Sequence, residues 1–201
     1  MIAVVDYGVG NLFSLMSSLR FLGLECVVTN KKEDLLAADR IILPGVGAFG
    51  DAIAKLVETG LADTIKELAN VKPLLGICLG MQLLFDKSFE FGEHEGLALI
   101  PGLVVPLAAD INPGLKIPHM GWNRLQIVRN DPMFRYFRSG EWVYYVHSYY
   151  AKHCSESVLG VSEYDIMVTG LVRSGLVYGS QFHPEKSGSA GLRLLKAFSE
   201  L

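Results

Sequence analysis

The sequence predicts an α/β fold: a mostly parallel central sheet with flanking helices, extended by antiparallel strands in its second half. Three observations carry that prediction. Short β-branched runs alternate with helical spacing as far as Phe85. One of the runs, Pro73–Ile77 (PLLGI), is continuously apolar, as a strand covered on both faces must be. From Leu97 onward the texture changes to short strands parted by Gly, Pro and Asn.

Each element has its own signal. Ile2–Asp6 (IAVVD) is a strand ended by the turn Tyr7-Gly8-Val9-Gly10, after which Asn11 caps a helix with apolar residues at Leu12, Leu15, Met16, Leu19 and Leu22. Glu25–Thr29 and Arg40–Leu43 are the second and third strands. Helical pattern opens at Asp51 after the glycine-rich Pro44–Gly50, breaks near Gly60 and runs to about Ala69. Pro73–Ile77 is the fourth strand and leads into a helix over Leu79–Phe85. Such βα units imply a parallel sheet with right-handed crossovers. In the second half the candidate strands are Leu103–Pro106, Trp122–Val128, Trp142–His147, Val158–Ser162, Ile166–Val172 and Val177–Phe182. They read as additions to the main sheet or as a small second one, and Gly188–Leu201 closes the chain as an amphipathic helix.

Composition narrows the function classes. The 201 residues would expose ~9,000 Å² folded against ~32,000 Å² unfolded, which supports one full core and a single domain over residues 1–201. Half the residues are apolar and 19% are charged, which excludes a disordered or fibrous chain. A net charge of −3 argues against nucleic-acid binding. The best apolar stretch, Leu97–Ala109, is broken by Pro101, Gly102 and Pro106, so no membrane span is expected. The first residues carry no basic leader, and three cysteines (Cys26, Cys78, Cys154) are a sparse, odd set; a reduced, cytoplasmic protein is expected.

Chemistry concentrates in three places. Gly76-Ile77-Cys78-Leu79-Gly80 has the form of a nucleophile elbow with Cys in the nucleophile position. A tight strand-to-helix turn brings the residues two before and two after the nucleophile together, so only small ones fit. The following helix would favour the thiolate by its dipole, and Leu79 N–H would donate to an oxyanion. The alternative is an ordinary buried Cys between turn glycines. A Cys nucleophile needs a base and an orienter. His183, just past an apolar strand, supplies the first, and Glu185, two residues on and stiffened by Pro184, supplies the second. Third, Gly45-Val46-Gly47-Ala48-Phe49-Gly50 fits the dinucleotide-binding pattern G-x-G-x-x-G, but it does not follow the first strand and the next strand ends without a ribose-binding acid. The preferred reading is a second oxyanion donor near Val46 or Gly47. No Walker A loop or zinc spacing is present, and no cofactor or metal is expected.

Assembled, these pieces resemble the class I (triad) glutamine amidotransferases. Pro44-Gly45-Val46-Gly47, Gly76-Ile77-Cys78-Leu79-Gly80-Met81-Gln82 and Gln181-Phe182-His183-Pro184-Glu185-Lys186-Ser187-Gly188 match motifs of that family. Within it, Asp6-Tyr7-Gly8-Val9-Gly10-Asn11-Leu12, Pro118-His119-Met120-Gly121-Trp122-Asn123 and Val146-His147-Ser148-Tyr149 resemble the glutaminase subunits of imidazole glycerol phosphate synthases, and the likeness spans the chain in order. The resemblance implies a flavodoxin-like fold and hydrolysis of L-glutamine through a Cys78 thioester, with His183 as acid and base and Glu185 holding the imidazole. It implies an oxyanion hole from Val46, Gly47 and Leu79, and substrate contacts from Gln82, Glu90, His147, Ser148 and Tyr149. It further implies a heterodimer with a (β/α)8-barrel cyclase that consumes the ammonia, with Asn11, Met120, Trp122, Asn123 and Lys186 at the interface or gate. In this family docking completes the oxyanion hole, so weak activity of the isolated chain is expected. A triad enzyme serving another ammonia acceptor and a dinucleotide-binding module are the competing readings.

Overall fold

The computed structural model describes every residue from Met1 to Leu201. The first part alternates strictly: β1 (Ile2–Val5), α1 (Leu12–Phe21), β2 (Cys26–Thr29), α2 (Lys32–Ala37), β3 (Arg40–Gly45), α3 (Phe49–Glu58), α4 (Leu61–Leu68), β4 (Leu74–Cys78) and the single turn α5 (Leu79–Gln82). Strands then dominate: β5 (Phe85–Ser88), β6 (His94–Glu95), β7 (Ile100–Pro106), β8 (His119–Ile127), β9 (Glu141–His147), β10 (Tyr149–Lys152), β11 (Val158–Tyr164), β12 (Ile166–Ser174) and β13 (Val177–Ser180). A 3₁₀ turn over Pro184–Lys186 leads into α6 (Gly188–Phe198). No helix is long and apolar enough to cross a membrane.

Nine strands form one sheet in the order β2-β1-β3-β4-β13-β12-β11-β8-β9. The first five are parallel, and β12, β11, β8 and β9 continue the sheet antiparallel. A second sheet has the order β10-β7-β5-β6. Both outcomes left open by the sequence therefore occur: an extension of the main sheet and a separate small one.

The strand period of two explains the layers. Ala3, Val5, Ile41 and Leu43 face one side, where they pack with Phe49, Leu56, Ile65 and Leu68 of the helices and with Phe85, Ile100 and Val104 of the small sheet. Ile2, Val4, Ile42 and Leu75 face the other, against Leu15 and Leu19 of α1 and Leu194, Leu195 and Phe198 of α6. Each fully buried Leu or Phe is worth ~1.5–3 kcal/mol relative to exposure, so both faces are anchored.

The sequence reading offered no candidate strand at β6 or β10, and two further parts of the fold differ from it. The helix expected over Leu79–Phe85 ends at Gln82, and Phe85 starts a strand. Another segment pairs with the run instead: Leu97 N–H donates to Leu83 O at 2.8 Å, Leu99 N–H to Leu84 O at 2.8 Å and Ala98 N–H to Phe85 O at 3.1 Å, and Phe85 stands in register with Ile100 of β7. An apolar run such as Leu83-Leu84-Phe85 suits a buried helix or a buried strand equally, and tertiary pairing decides. The helix α2 was not expected at all, because only Leu35 of its six residues is buried and no apolar period exists to read.

Candidate active site

Parallel neighbours end at a common edge. The C-terminal ends of β3, β4 and β13 place the loop at Val46–Gly47, the elbow at Cys78 and the segment Gln181–His183 side by side. Open α/β sheets bind ligands at this edge. A cavity of about 380 Å³ opens there, and every residue expected to bind substrate or an oxyanion lines it: Val46, Gly47, Leu79, Gln82, Glu90, His147, Ser148 and Tyr149 join Cys78 and His183.

The elbow is strained in the way its sequence requires. Cys78 adopts φ 56° and ψ −111°, a conformation L-residues avoid and one that costs on the order of 1–3 kcal/mol. A Cβ on Gly76 would lie 2.6 Å from Gly80 O, and one on Gly80 would lie 1.9 Å from Leu43 O, so neither position admits a side chain. The turn pushes the Cys78 sulfur out of the sheet, where it lies 3.8 Å from Val146 O and accepts from Gln181 Nε2 at 4.0 Å. Because α5 is one turn long, its contribution is the unpaired N–H groups of that turn, chiefly Leu79, rather than the dipole of a full helix.

His183 Nδ1–H donates to Glu185 Oε1 at 2.7 Å, and both side chains are 3% exposed. Nε2 is buried and has no conventional hydrogen bond, so its coupling to Cys78 acts over a longer distance. Burial disfavours the imidazolium, but the Cys78 sulfur and the Glu185 carboxylate outweigh it and raise the His183 pKa to about 9. The arrangement sets an imidazole that holds its proton beside the Cys78 sulfur, as a cysteine nucleophile with a base and an orienter requires.

The polar lining is committed in a specific way. Gln82 spends both Nε2 protons, on Tyr149 O at 3.0 Å and on Gln181 Oε1 at 3.1 Å. That fixes the Gln181 amide, whose Nε2 must then point at the Cys78 sulfur. Glu90 Oε2 accepts from Phe49 N–H at 2.6 Å, and Oε1 has no partner within the chain. This carboxylate sits at the N-terminus of α3, where a pyrophosphate would bind if Gly45–Gly50 were a dinucleotide loop. Instead Gly45 packs on the elbow, its hypothetical Cβ only 2.7 Å from Gly80 N.

His147 is buried, and its ring offers nothing polar to the cavity. Tyr149 O can only accept, so Nδ1 carries the proton in the 2.8 Å bond to it, and Nε2 accepts from His119 Nδ1–H at 2.9 Å. His119 Nε2 in turn accepts from Asn123 Nδ2 at 3.3 Å, while the ring stacks against Tyr145 and Tyr164. Burial, reinforced by the charges of His119 and His183, lowers His147 to about 3; burial alone lowers His119 to about 4. Polar contact with a ligand in this wall falls to Ser148, whose hydroxyl has no partner within the chain.

A family model described as glutamine amidotransferase class-I matches residues 3–200. The chain belongs to this family. A protein from Bacillus cereus named "Imidazole glycerol phosphate synthase subunit HisH" is 49% identical over 199 residues, covering 98% of this chain and 93% of that protein. A protein of the same name from Listeria monocytogenes is 48% identical over 202 residues, covering 100% and 96%. Among solved structures, a glutamine amidotransferase superposes with a TM-score of 0.77 at 22% identity, covering 100% of this chain and 98% of that one. PurLQS from Thermotoga maritima gives 0.75 at 21%, covering 99% and 97%; both likenesses show the fold.

The amidotransferase carries its expected partner-facing residues beside this site. Met120 and Trp122 are 64% and 54% exposed on β8, so Trp122 is not a core aromatic. They stand in register with Val146 and Tyr144 of β9. Lys186 is exposed over the Tyr144 ring, 5.9 Å from its centroid. Asn123 is already committed, donating to Glu163 O at 2.8 Å. Asn11 caps α1 and, with His183 and Glu185, lines a small cavity behind the pair. Three contributors had no assigned role in the sequence reading: Pro118 and Val146 in the cavity wall, and Gln181. Gln181 had a legible signal, since it lies two residues before His183 on an extended segment and therefore shares its side.

Proposed function

We propose that this chain is the glutaminase subunit of an imidazole glycerol phosphate synthase of histidine biosynthesis, acting as one amidotransferase domain. The Cys78 thiolate attacks the side-chain amide carbon of glutamine. The resulting oxyanion is held by Leu79 N–H and by a donor at Val46 or Gly47. His183 gives its proton to the departing nitrogen, ammonia leaves, and a γ-glutamyl thioester remains. His183 then takes a proton from water, the hydroxide attacks the thioester, and collapse of the second tetrahedral species expels the Cys78 thiolate beside the protonated His183, restoring the pair and releasing glutamate, whose acid proton passes to solvent. Glu185 holds the imidazole throughout. Gln82, Glu90, Ser148 and Tyr149 hold the substrate, with Glu90 Oε1 available to its ammonium; His147 supports this wall through its bond to Tyr149 O.

The ammonia passes to a cyclase subunit, a (β/α)8 barrel docked as a heterodimer over Met120, Trp122 and Lys186, which forms imidazole glycerol phosphate and an aminoimidazole carboxamide nucleotide. The observation that carries this reading is a cysteine held at φ 56° beside a buried His–Glu pair, in a chain 49% identical over nearly its full length to a subunit of that synthase. The test is glutamate release by this chain alone and then with a cognate cyclase and its nucleotide ligand. A large rise only in the complex, abolished by Cys78→Ala, is expected. High activity alone with no response to the cyclase would assign the triad to a different acceptor.

A further inference from the structure

We propose that Ser187 is a positioning residue that clips the His183–Glu185 turn onto the edge strand β9 and so sets the base against the nucleophile. This deepens the glutaminase reading and rests on it. Ser187 stands at the N-cap of α6, where a serine ordinarily accepts from the first helical N–H groups, yet its side chain makes no capping bond. Its hydroxyl is directed elsewhere. Oγ–H donates to His183 O at 2.6 Å, and Oγ accepts from Tyr144 N–H at 2.9 Å. His183 N–H donates to Tyr144 O at 2.9 Å and completes a closed ring of three bonds.

The ring matters because of where Tyr144 lies. β9 is the last strand of the nine-stranded sheet, so one of its edges has no strand partner. The turn satisfies both backbone groups of Tyr144 on that edge, which would otherwise lack protein partners. Two residues along the same edge, Val146 O lies 3.8 Å from the Cys78 sulfur. Base and nucleophile are thus referenced to positions of one strand separated by ~6.8 Å of rise. Ser187 is 2% exposed and touches neither the cavity nor Cys78, which makes it a positioning residue rather than a catalytic one. Gly191 supports the same turn: a Cβ there would fall 1.9 Å from Pro184 O.

The test compares Ser187→Ala with wild type as the complex with a cognate cyclase. For Ser187→Ala, kcat for glutamate release should fall about tenfold to a hundredfold with KM within about twofold, as a base displaced by a fraction of an ångström predicts. The alkaline limb of the kcat profile should move toward neutrality, because His183 is then held less firmly near Cys78 and Glu185, while neutral His147 is unaffected. Ser187→Cys, with a longer bond and a weaker donor, serves if the alanine variant does not fold, and the same losses are expected of it. A folded variant with a lowered melting temperature but wild-type kcat and pH profile overturns the proposal, since Ser187 would then only stabilise. Absence of glutamate release by the wild-type complex would instead overturn the glutaminase reading itself.

Discussion

Replacing Glu185 by Gln removes one charge from a pair whose geometry is defined, and the consequence can be worked through. The His183 pKa stands at about 9 against an ordinary 6.5, a preference for the imidazolium of about 3 kcal/mol. Burial works against it, and His119, a buried imidazole without a carboxylate, shows how far: burial alone takes it to about 4. Cys78 and Glu185 therefore supply more than the net preference between them. Two unit charges about 4 Å apart at an effective dielectric of 20 attract by about 4 kcal/mol, enough for either partner to account for a substantial part. Glu185→Gln should lower the His183 midpoint by at least about one pH unit, and Cys78→Ala combined with Glu185→Gln should take it below about 6.5. The assay is NMR titration of the imidazole ¹⁵N signals, with the His183 resonance identified by its loss in His183→Gln. Because the folded pKa is raised, the pair stabilises the protein fully below about pH 6.5, and that stability is lost as pH rises through about 9. A midpoint in Glu185→Gln within about 0.3 of wild type, in a folded protein, would refute the argument that the carboxylate sustains the imidazolium.

Other consequences follow from the same geometry. Gly80→Ala forces Cβ into Leu43 O at 1.9 Å, so β3 must shift away from the elbow; urea unfolding should show a loss of about 1–3 kcal/mol or more, and a variant as stable as wild type would contradict the packing. His119 and His147 are held neutral, so the unfolded state binds more protons between about pH 4 and 6.5, and stability should fall with acid by up to ~1.4 kcal/mol per pH unit for each ring. Replacing His119 with Phe should remove its share of that slope, and an unchanged slope would show that this ring titrates freely. Glu90→Gln should raise KM for glutamine about tenfold to a hundredfold in the complex with little change in kcat, the cost of a charge-assisted bond to the substrate ammonium. A KM unmoved by the substitution would leave Glu90 as a cap for α3 alone.

Much of this protein is determined by its sequence, because the signals are local. The apolar run Pro73–Ile77, the glycines at 76 and 80 and the spacing His-x-Glu each state a backbone or chemical requirement within a few residues, and together they placed the parallel strands and the candidate triad. Long-range pairing decided the rest. Leu83-Leu84-Phe85 became turn and strand because residues 97–100 pair with them, a choice that no window around Phe85 can contain. His147 lost its ring to His119, and Gln181 gained its aim at Cys78 from Gln82, through partners 28 and 99 residues distant in the chain. Ser187 stands where a serine ordinarily caps a helix and becomes a clip only because β9 ends the sheet beside it. Hydrogen-bonding capacity is written in each residue; which partner satisfies it is settled by the fold.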